Sequence, residues 1–482
     1  MNVIEQQEST TIISVMTYVN YHVLVTLIFA AVTVWLCIKI HKNSNQKLLL
    51  SLSKKLHTGY GNIIFVMAGI LWASSVSVFG SDIKKQIFET DEISWETLTF
   101  FVTVMMTLII GVLHYAGQQH KDRLSQSRPP LKAIQATSKH VIELKKILSE
   151  CLFDWVTIDS KVNNNTLQKD ELSSLLRTLS SAQKFCLQSL LYVAHSWDEN
   201  NEKVTYNSNL FKIADSHKLL EAFEKGNLDV GPMHSSTFSI QAIEASPFFL
   251  FSDNWQAKLQ RTDFLLVGEQ SLSVSLSSHQ GKEPECKELP KQSTPPICMP
   301  FSEATEYSTV KQPNLHGAPT ARKMKRPVYI SDVQLQITNT LEDLKNSPIY
   351  KAHFSNRFEE DLRRYYEADN TKSILSIPIH MYDIEHILSR EQLSNSSDTE
   401  RPVVCITNVY SNKVNMFVHD DMASSYCDLV KPICYVMSLL VSLTLKCVQL
   451  QEELLKRQGE SQNSDYTNKH EHQSETEEAK HG

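Results

Sequence analysis

The chain has 482 residues and a net charge of −7, from 47 basic and 54 acidic side chains. That length allows two or three domains, and the mild acidic balance gives no reason to expect nucleic acid as a partner. Its nine cysteines form no CxxC and no Cys/His cluster at zinc-ligand spacing, so neither a structural metal nor a cofactor is expected, and the thiols read as reduced, buried and cytosolic.

The first 117 residues contain three windows almost free of charge: Tyr18 to Ile40, Gly61 to Gly80 and Leu98 to Gly117. Each is about 20 residues, the length of helix that spans roughly 30 Å of hydrocarbon. Backbone groups in lipid must bond internally, so helix is the expected form. The first window is too long for a signal peptide, and residues 1–17 carry Glu5 and Glu8 but no Lys or Arg. Loop charge sets the expected orientation. Residues 41–60 carry Lys42, Lys47, Lys54 and Lys55 with no acid, whereas 81–97 carry five acids against Lys84 and Lys85. The stretch after the third window is basic again, with Lys121, Arg123, Arg128 and Lys132 against Asp122. The positive-inside rule then places 41–60 and everything beyond 118 in the cytoplasm, and the N-terminus and 81–97 outside. His22 and His114 fall near span ends and read as interfacial.

Beyond "RPPLK", residues 131–166 form a juxtamembrane linker with apolar residues at helical spacing, and "QKDELSSLLRTLSSAQKF" repeats that pattern. "LQSLLYVAHSWDENNEKVTYNSNLFKI" reads as a hairpin of two apolar runs around a polar turn. A helical "SHKLLEAFEKG" and a strand at Asp263 to His279 follow. Residues 281–300 hold five of the 16 prolines and read as a loop or disordered insertion. Then come a short strand at Val328 to Ile330 ending at Asp332, two charged helices, and a strand expected to break at Pro378. A strand at Val403 to Val409 leads to a helix expected to take Asp420 or Asp421 as its N-cap. The acids Glu359, Glu360 and Asp361 read as a solvated helix face.

The order "KRPVYISDV", "KSILSIPI", "VVCITNVYSNKVNMFVHDD" resembles a GAF domain, with Ser373, Pro378, Asn415, Phe417 and Asp420 at the motif positions. The match is good over 326–450 and weaker before it. The resemblance implies an antiparallel sheet flanked by helices over 167–455, interrupted by an insertion at about 214–325. It implies that Phe417 fills the gap between sheet and final helix. It points to Ser373, Ser376, Cys405 and Thr407 as residues lining a ligand site on the sheet. Asn412 and Lys413 also resemble the start of a cyclic-nucleotide signature. Phe417 lies too near the acids for that signature, and Asp421 stands where it has Glu, so a turn before a packed Phe is expected instead.

The last helix carries Ile433, Val436, Leu440, Leu443, Cys447, Leu450 and Leu454 at alternating three- and four-residue spacing, the pattern of a homodimer seam or of packing within the chain. Its uncharged stretch between Lys431 and Lys446 is 14 residues, short for a fourth span. The polar tail, 458–482, is expected to be disordered. No nucleophile elbow, HExxH or phosphate loop occurs, and no kinase, cyclase or helix-turn-helix output follows. The expected fold class is therefore a membrane-anchored α+β protein, three transmembrane helices followed by a cytoplasmic GAF-like domain. The expected function is regulatory or sensory: lipid around the helices, a small ligand or partner protein in the domain, a dimer, and a separate output protein. The alternatives are a membrane enzyme with its site in 214–325, and a dimerisation scaffold without ligand.

Overall fold

A computed structural model describes residues 30–39, 51, 59–88, 95–164, 166–167, 169–198, 203–226, 239–251, 254–277, 284–288, 297–303, 310–382, 384 and 401–478. The chain divides into two compact units, Met1–Gln126 and Ser127–Gly482.

In the first unit, helices α1 (Gly59–Phe88) and α2 (Trp95–Gln126) are antiparallel. Thr97 donates to Gln86 Oε1 at 2.5 Å where they join, and His114 stacks on Phe65 at 5.6 Å toward the other end. Within them, Ile63–Gln86 and Thr97–Gln119 are long and apolar enough to cross a membrane, and almost none of either is buried in protein. The helices run longer than the apolar windows: α1 extends to Phe88 and α2 starts at Trp95, so most of the loop expected over 81–97 is helical. Of the first window, Ala30–Lys39 is a short apolar helix, and the rest, including His22, lies outside the described residues. So do most of the expected loop 41–60 and all of the N-terminal segment 1–17.

The second unit is mixed α and β. Helices α3 (Leu131–Asn163) and α4 (Lys169–Trp197) precede strand β1 (Thr205–Asp215). The expected hairpin is therefore half wrong: "LQSLLYVAHSW" closes α4. Its buried apolar residues Leu187, Leu190, Leu191 and Ala194 recur at i, i+3, i+4 and i+7, the helical period that the strand reading passed over. Then come α5 (Ser216–Glu224), α6 (Ile240–Ala245), α7 (Trp255–Gln260), β2 (Phe264–Ser277), β3 (Glu285–Glu288) and β4 (Cys298–Phe301). The chain continues with α8 (Ala318–Met324), β5 (Val328–Ile330), α9 (Val333–Asn346), α10 (Asn356–Asp369), β6 (Ser373–His380), β7 (Val403–Ser411) and α11 (Asp420–Glu478).

The seven strands form one antiparallel sheet in the order β3-β2-β1-β7-β6-β5, with β4 sharing the β2 edge with β3. Residues 214–325 are thus not inserted beside the sheet. They supply β2, β3 and β4, and β3 and β4 lie in the proline-rich stretch expected to be a loop. β6 also runs through Pro378, which pairs with Ile406 of β7. Pro378 lies beyond the residues that β5 covers, where β6 is paired on one side only and a missing N–H is tolerated.

One face of the sheet packs on α4 and α11, with α3 packed on those two helices, around one large buried core. Phe417 is fully buried there, against Tyr426 of α11 (4.8 Å), Tyr329 of β5 (5.6 Å) and Trp197 at the end of α4 (6.2 Å). Tyr329 donates to the Phe417 carbonyl at 2.6 Å, and its hydroxyl accepts from the Phe417 N–H. Asn415 makes the turn before it with φ 56°, a left-handed conformation that Asn tolerates. The N-terminal turn of α11 is capped by His419, whose Nδ1 accepts from the Met422 N–H at 3.2 Å. Asp420 and Asp421 stand one and two positions past the cap and lie in the first turn instead, where their charge still suits the helix dipole. Asp332 does act as an N-cap, accepting from the Leu335 N–H at the start of α9.

Val436, Leu440 and Leu443 are buried in this chain's own core, with Ile433 and Cys447, so they present no exposed seam to a second copy. Leu450 and Leu454 are half-buried against the same core. A helix with a 3.6-residue apolar stripe packs equally on a partner copy or on its own α3 and α4, and here the latter supply the surface. Asp420–Leu454 is long and apolar enough to count as the third membrane-crossing helix among the described residues, yet 61% of its most apolar window is buried. The backbone of α11 stays helical to Glu478, through most of the tail expected to be disordered; a helix already nucleated needs no second nucleus to propagate.

Candidate ligand-binding site

The opposite face of the sheet is incompletely filled. Side chains from β1, β7, β6, α9 and α10 surround a cavity of about 80 Å³, several times the ~10–15 Å³ that one water requires. Helical spacing explains how two helices reach it. Val333, Gln336, Ile337 and Thr340 of α9, and Leu362, Tyr365, Tyr366 and Asp369 of α10, each follow an i, i+3, i+4, i+7 stripe. The opposite face of α10 is the expected solvated one, with Glu359 bonded to Lys345 and Arg363, and Asp361 near Arg357 and Arg364. Residues 214–325 add Phe248, Ile297, Met299, Leu315 and the turn His316–Ala318.

The floor carries a polar row. Strand register places Ser376 of β6, Asn408 of β7 and Asn209 of β1 directly beside one another. The Ser376 hydroxyl donates to Asn408 Oδ1 at 2.7 Å, and Asn408 Nδ2 donates to Asn209 Oδ1 at 2.8 Å. Asn209 in turn bonds the Tyr410 hydroxyl. Ser376 and Asn408 are at most 1% exposed, so an unpaired amide here would be costly, and the row satisfies each group through the next. Asn209 sits at a register shift in β1, where a bulge re-aims side chains. Gly317 closes the rim with φ 94° and ψ −127°, a conformation essentially confined to glycine, and lies next to Ser376 Oγ.

Asp369 is the one acid among the described residues that line the cavity. The residue is exposed, yet neighbouring protein crowds its carboxyl, and desolvation holds it above the ordinary carboxylate value, partly offset by the bond donated by Thr371. Tyr365, Tyr366 and Tyr410 all feel its charge, and burial raises their phenols. Tyr365 and Tyr366 form a ring cluster with Phe248, at 4.9 and 6.0 Å. His316 stands at the rim; desolvation lowers its pKa, and Asp343 opposes the shift. Among the described residues no Lys or Arg lines the cavity. Among the described residues no three His, Cys, Asp or Glu side chains converge as a metal site requires.

Of the four lining residues expected from the motif, only Ser376 faces this side. Ser373 lies on the helix side and ties the following turn, donating to the Lys413 carbonyl at 2.6 Å and accepting from the Met416 N–H. Cys405 is buried in the helix-side core, and Thr407 donates to the Asn209 carbonyl. The error is one of parity. In β7 the cavity takes Asn408 and Tyr410, and a one-residue shift reverses every side chain. Asn209, Asn408, Asp369 and both tyrosines were missed. The available signal was an Asn in the middle of each of two apolar strands, where Asn is normally depleted.

The Asn412–Lys413 pair serves the fold. Asn412 Oδ1 accepts from the Thr205 N–H, and Lys413 Nζ pairs with Asp198 at 2.6 Å, while Tyr206 donates to the same carboxylate. All nine thiols are free. Burial pushes Cys151 up to about 11 and Cys434 and Cys447 up to about 12, which marks them as inert packing groups.

No family model matches the chain, and neither the curated proteins nor the solved structures contain a significant match to it.

Proposed function

We propose that this chain is a membrane-anchored regulatory protein whose second unit is a GAF-like sensor domain that binds a small ligand. In this reading α1, α2 and the apolar segment 18–40 lie in lipid, the N-terminus is outside, and everything after residue 118 is cytoplasmic. The observation that carries the reading is the cavity. It is apolar-walled, crossed by a buried polar row, and closed on one side by residues of 214–325 beside β7. Specific small-molecule sites combine apolar walls with a few fixed polar groups in this way. The same lining argues for sensing over catalysis in 214–325, because that stretch contributes walls and a rim instead of paired acid–base groups.

A route for the response follows from the sheet. β1, β7 and β6 carry the cavity on one face and α4 and α11 on the other. A ligand that shifts β7 therefore shifts the packing of α4, and α3 leads from there back along the chain to α2. The output belongs to a partner protein or to a homodimer.

Native mass spectrometry of the full chain released from detergent tests the ligand: a retained small molecule is expected, and Gln336→Trp, which fills the cavity from α9, is expected to lose it. A clean apo spectrum, with no binder found in a metabolite screen, would remove the sensor reading and favour a scaffold. Reporter fusions after Gly80 and Gly117 test the topology; an external position for residue 120 would overturn the orientation.

A further inference from the structure

The cavity's charge pattern narrows what it would hold, given the reading of it as a ligand site. We infer that its ligand is a small organic cation, an ammonium on an apolar body about the size of one ring, with the ammonium against Asp369 and the Tyr365–Tyr366–Phe248 ring cluster. The argument is one of elimination by sign and solvation. Among the described residues the lining contains one carboxylate and no Lys or Arg, so a phosphate or carboxylate ligand would meet repulsion and no counter-charge there. That excludes nucleotides on grounds independent of the Asn412–Lys413 spacing. A neutral ligand would displace water from Asp369 and leave its charge paired with Thr371 alone.

An ammonium answers both problems. It pairs with the carboxylate, and the adjacent aromatic faces attract it further once water is excluded. Asp369, Tyr365 and Tyr366 share one stripe of α10, so one helix presents acid and rings together. The apolar side chains Ile330, Val333, Ile337, Leu362 and Ile374 line the space left for the hydrocarbon body.

The test uses three probes of nearly one shape: 2-phenylethylamine, 2-phenylethanol and phenylacetate. Binding to the full chain in detergent is read by equilibrium dialysis. The amine is expected to bind roughly tenfold tighter than the alcohol, and the acid weakest. Asp369→Asn should bring the amine to the level of the alcohol and leave the alcohol unchanged, and Gln336→Trp should abolish both. Equal or tighter binding of the alcohol or the acid, lost in Gln336→Trp, overturns the cation and leaves the sensor cavity standing. Amine binding that survives Asp369→Asn overturns it as well. Failure of all three probes, with wild type and variants equally folded by circular dichroism, overturns the cation and removes support for the cavity itself.

Discussion

The two faces of the seven-stranded sheet are built from the same strands and do opposite things. On the helix side, alternate residues of β6 and β7 (Leu375, Ile377, Ile379, Cys405 and Val409) join α4 and α11 in one large buried core. On the other side the intervening residues include Ser376, Asn408 and Tyr410, and a cavity stands over them. The lesson is about where a fold can tolerate polar groups and empty space. Every polar side chain on the cavity floor is held by its neighbour, so the space above stays open without leaving an orphan. The sealed face then supplies the stability that the open face forgoes.

If that division is right, the largest loss comes from the sealed face. Phe417→Ala should cost about 3–5 kcal/mol, because the fully buried ring fills the space between Tyr329, Trp197 and Tyr426 and its removal leaves a hole there. Its denaturant midpoint, read by fluorescence, should fall accordingly; a loss under ~1 kcal/mol would mean that this core is not close-packed. Lys413→Met comes next, at about 2 kcal/mol, since it removes the cation from the Asp198 carboxylate, 8% exposed, to which Tyr206 still donates at 2.7 Å. The second variant Asp198→Asn, added to it, should recover part of that loss, and probe binding should be unchanged in both.

Crossing to the open face, Asn408→Val should cost about 1–3 kcal/mol, less than Phe417→Ala although Asn408 is as deeply buried. The loss comes from stranding Ser376 Oγ and the Asn209 amide, and not from a cavity. It should also weaken ligand binding, because Asn209 then no longer holds Tyr410 in place. A variant with intact binding would show that the polar row is a packing device and no part of the site. Denaturant titration and dialysis on the same sample separate the two effects.

Much of the sealed face was legible in the sequence, and little of the open one. The three- and four-residue spacing of α3 and of α11, the strands at 264–277, 328–330 and 403–411, and the burial of Phe417 all follow from pattern and size. The end of α4 was misread because a polar turn after an apolar run suggested a hairpin and outweighed the helical spacing of Leu187, Leu190, Leu191 and Ala194, and β3 and β4 because proline-rich loop composition masks four-residue strands. The cavity was out of reach for a different reason. It is made by which face of β7 turns inward, and a slip of one residue in that judgement selects Cys405 and Thr407 in place of Asn408 and Tyr410. Stripes such as Leu362–Tyr365–Tyr366–Asp369 announce a buried helix face but not that the face meets a space.

The smallest predicted effect separates a functional acid from a structural one. In the fold, desolvation raises the Asp369 carboxyl above its unfolded value. The ionised form is thus disfavoured in the folded chain, and stability is greatest below the unfolded carboxylate pKa and lost as pH rises through the folded one. Asp369→Asn removes that dependence. It should match wild type at a pH below the ordinary carboxylate range and exceed it at neutral pH, by no more than about 2 °C in Tm because Asp369 is exposed and its charge is screened. An acid kept for the fold would behave in the opposite way, with the asparagine variant the less stable at neutral pH. With 2-phenylethylamine present the order at neutral pH should invert, because only the wild-type carboxylate gains from the ammonium. Melting curves at two pH values, with and without the amine, therefore show whether the open face gives up stability in order to bind.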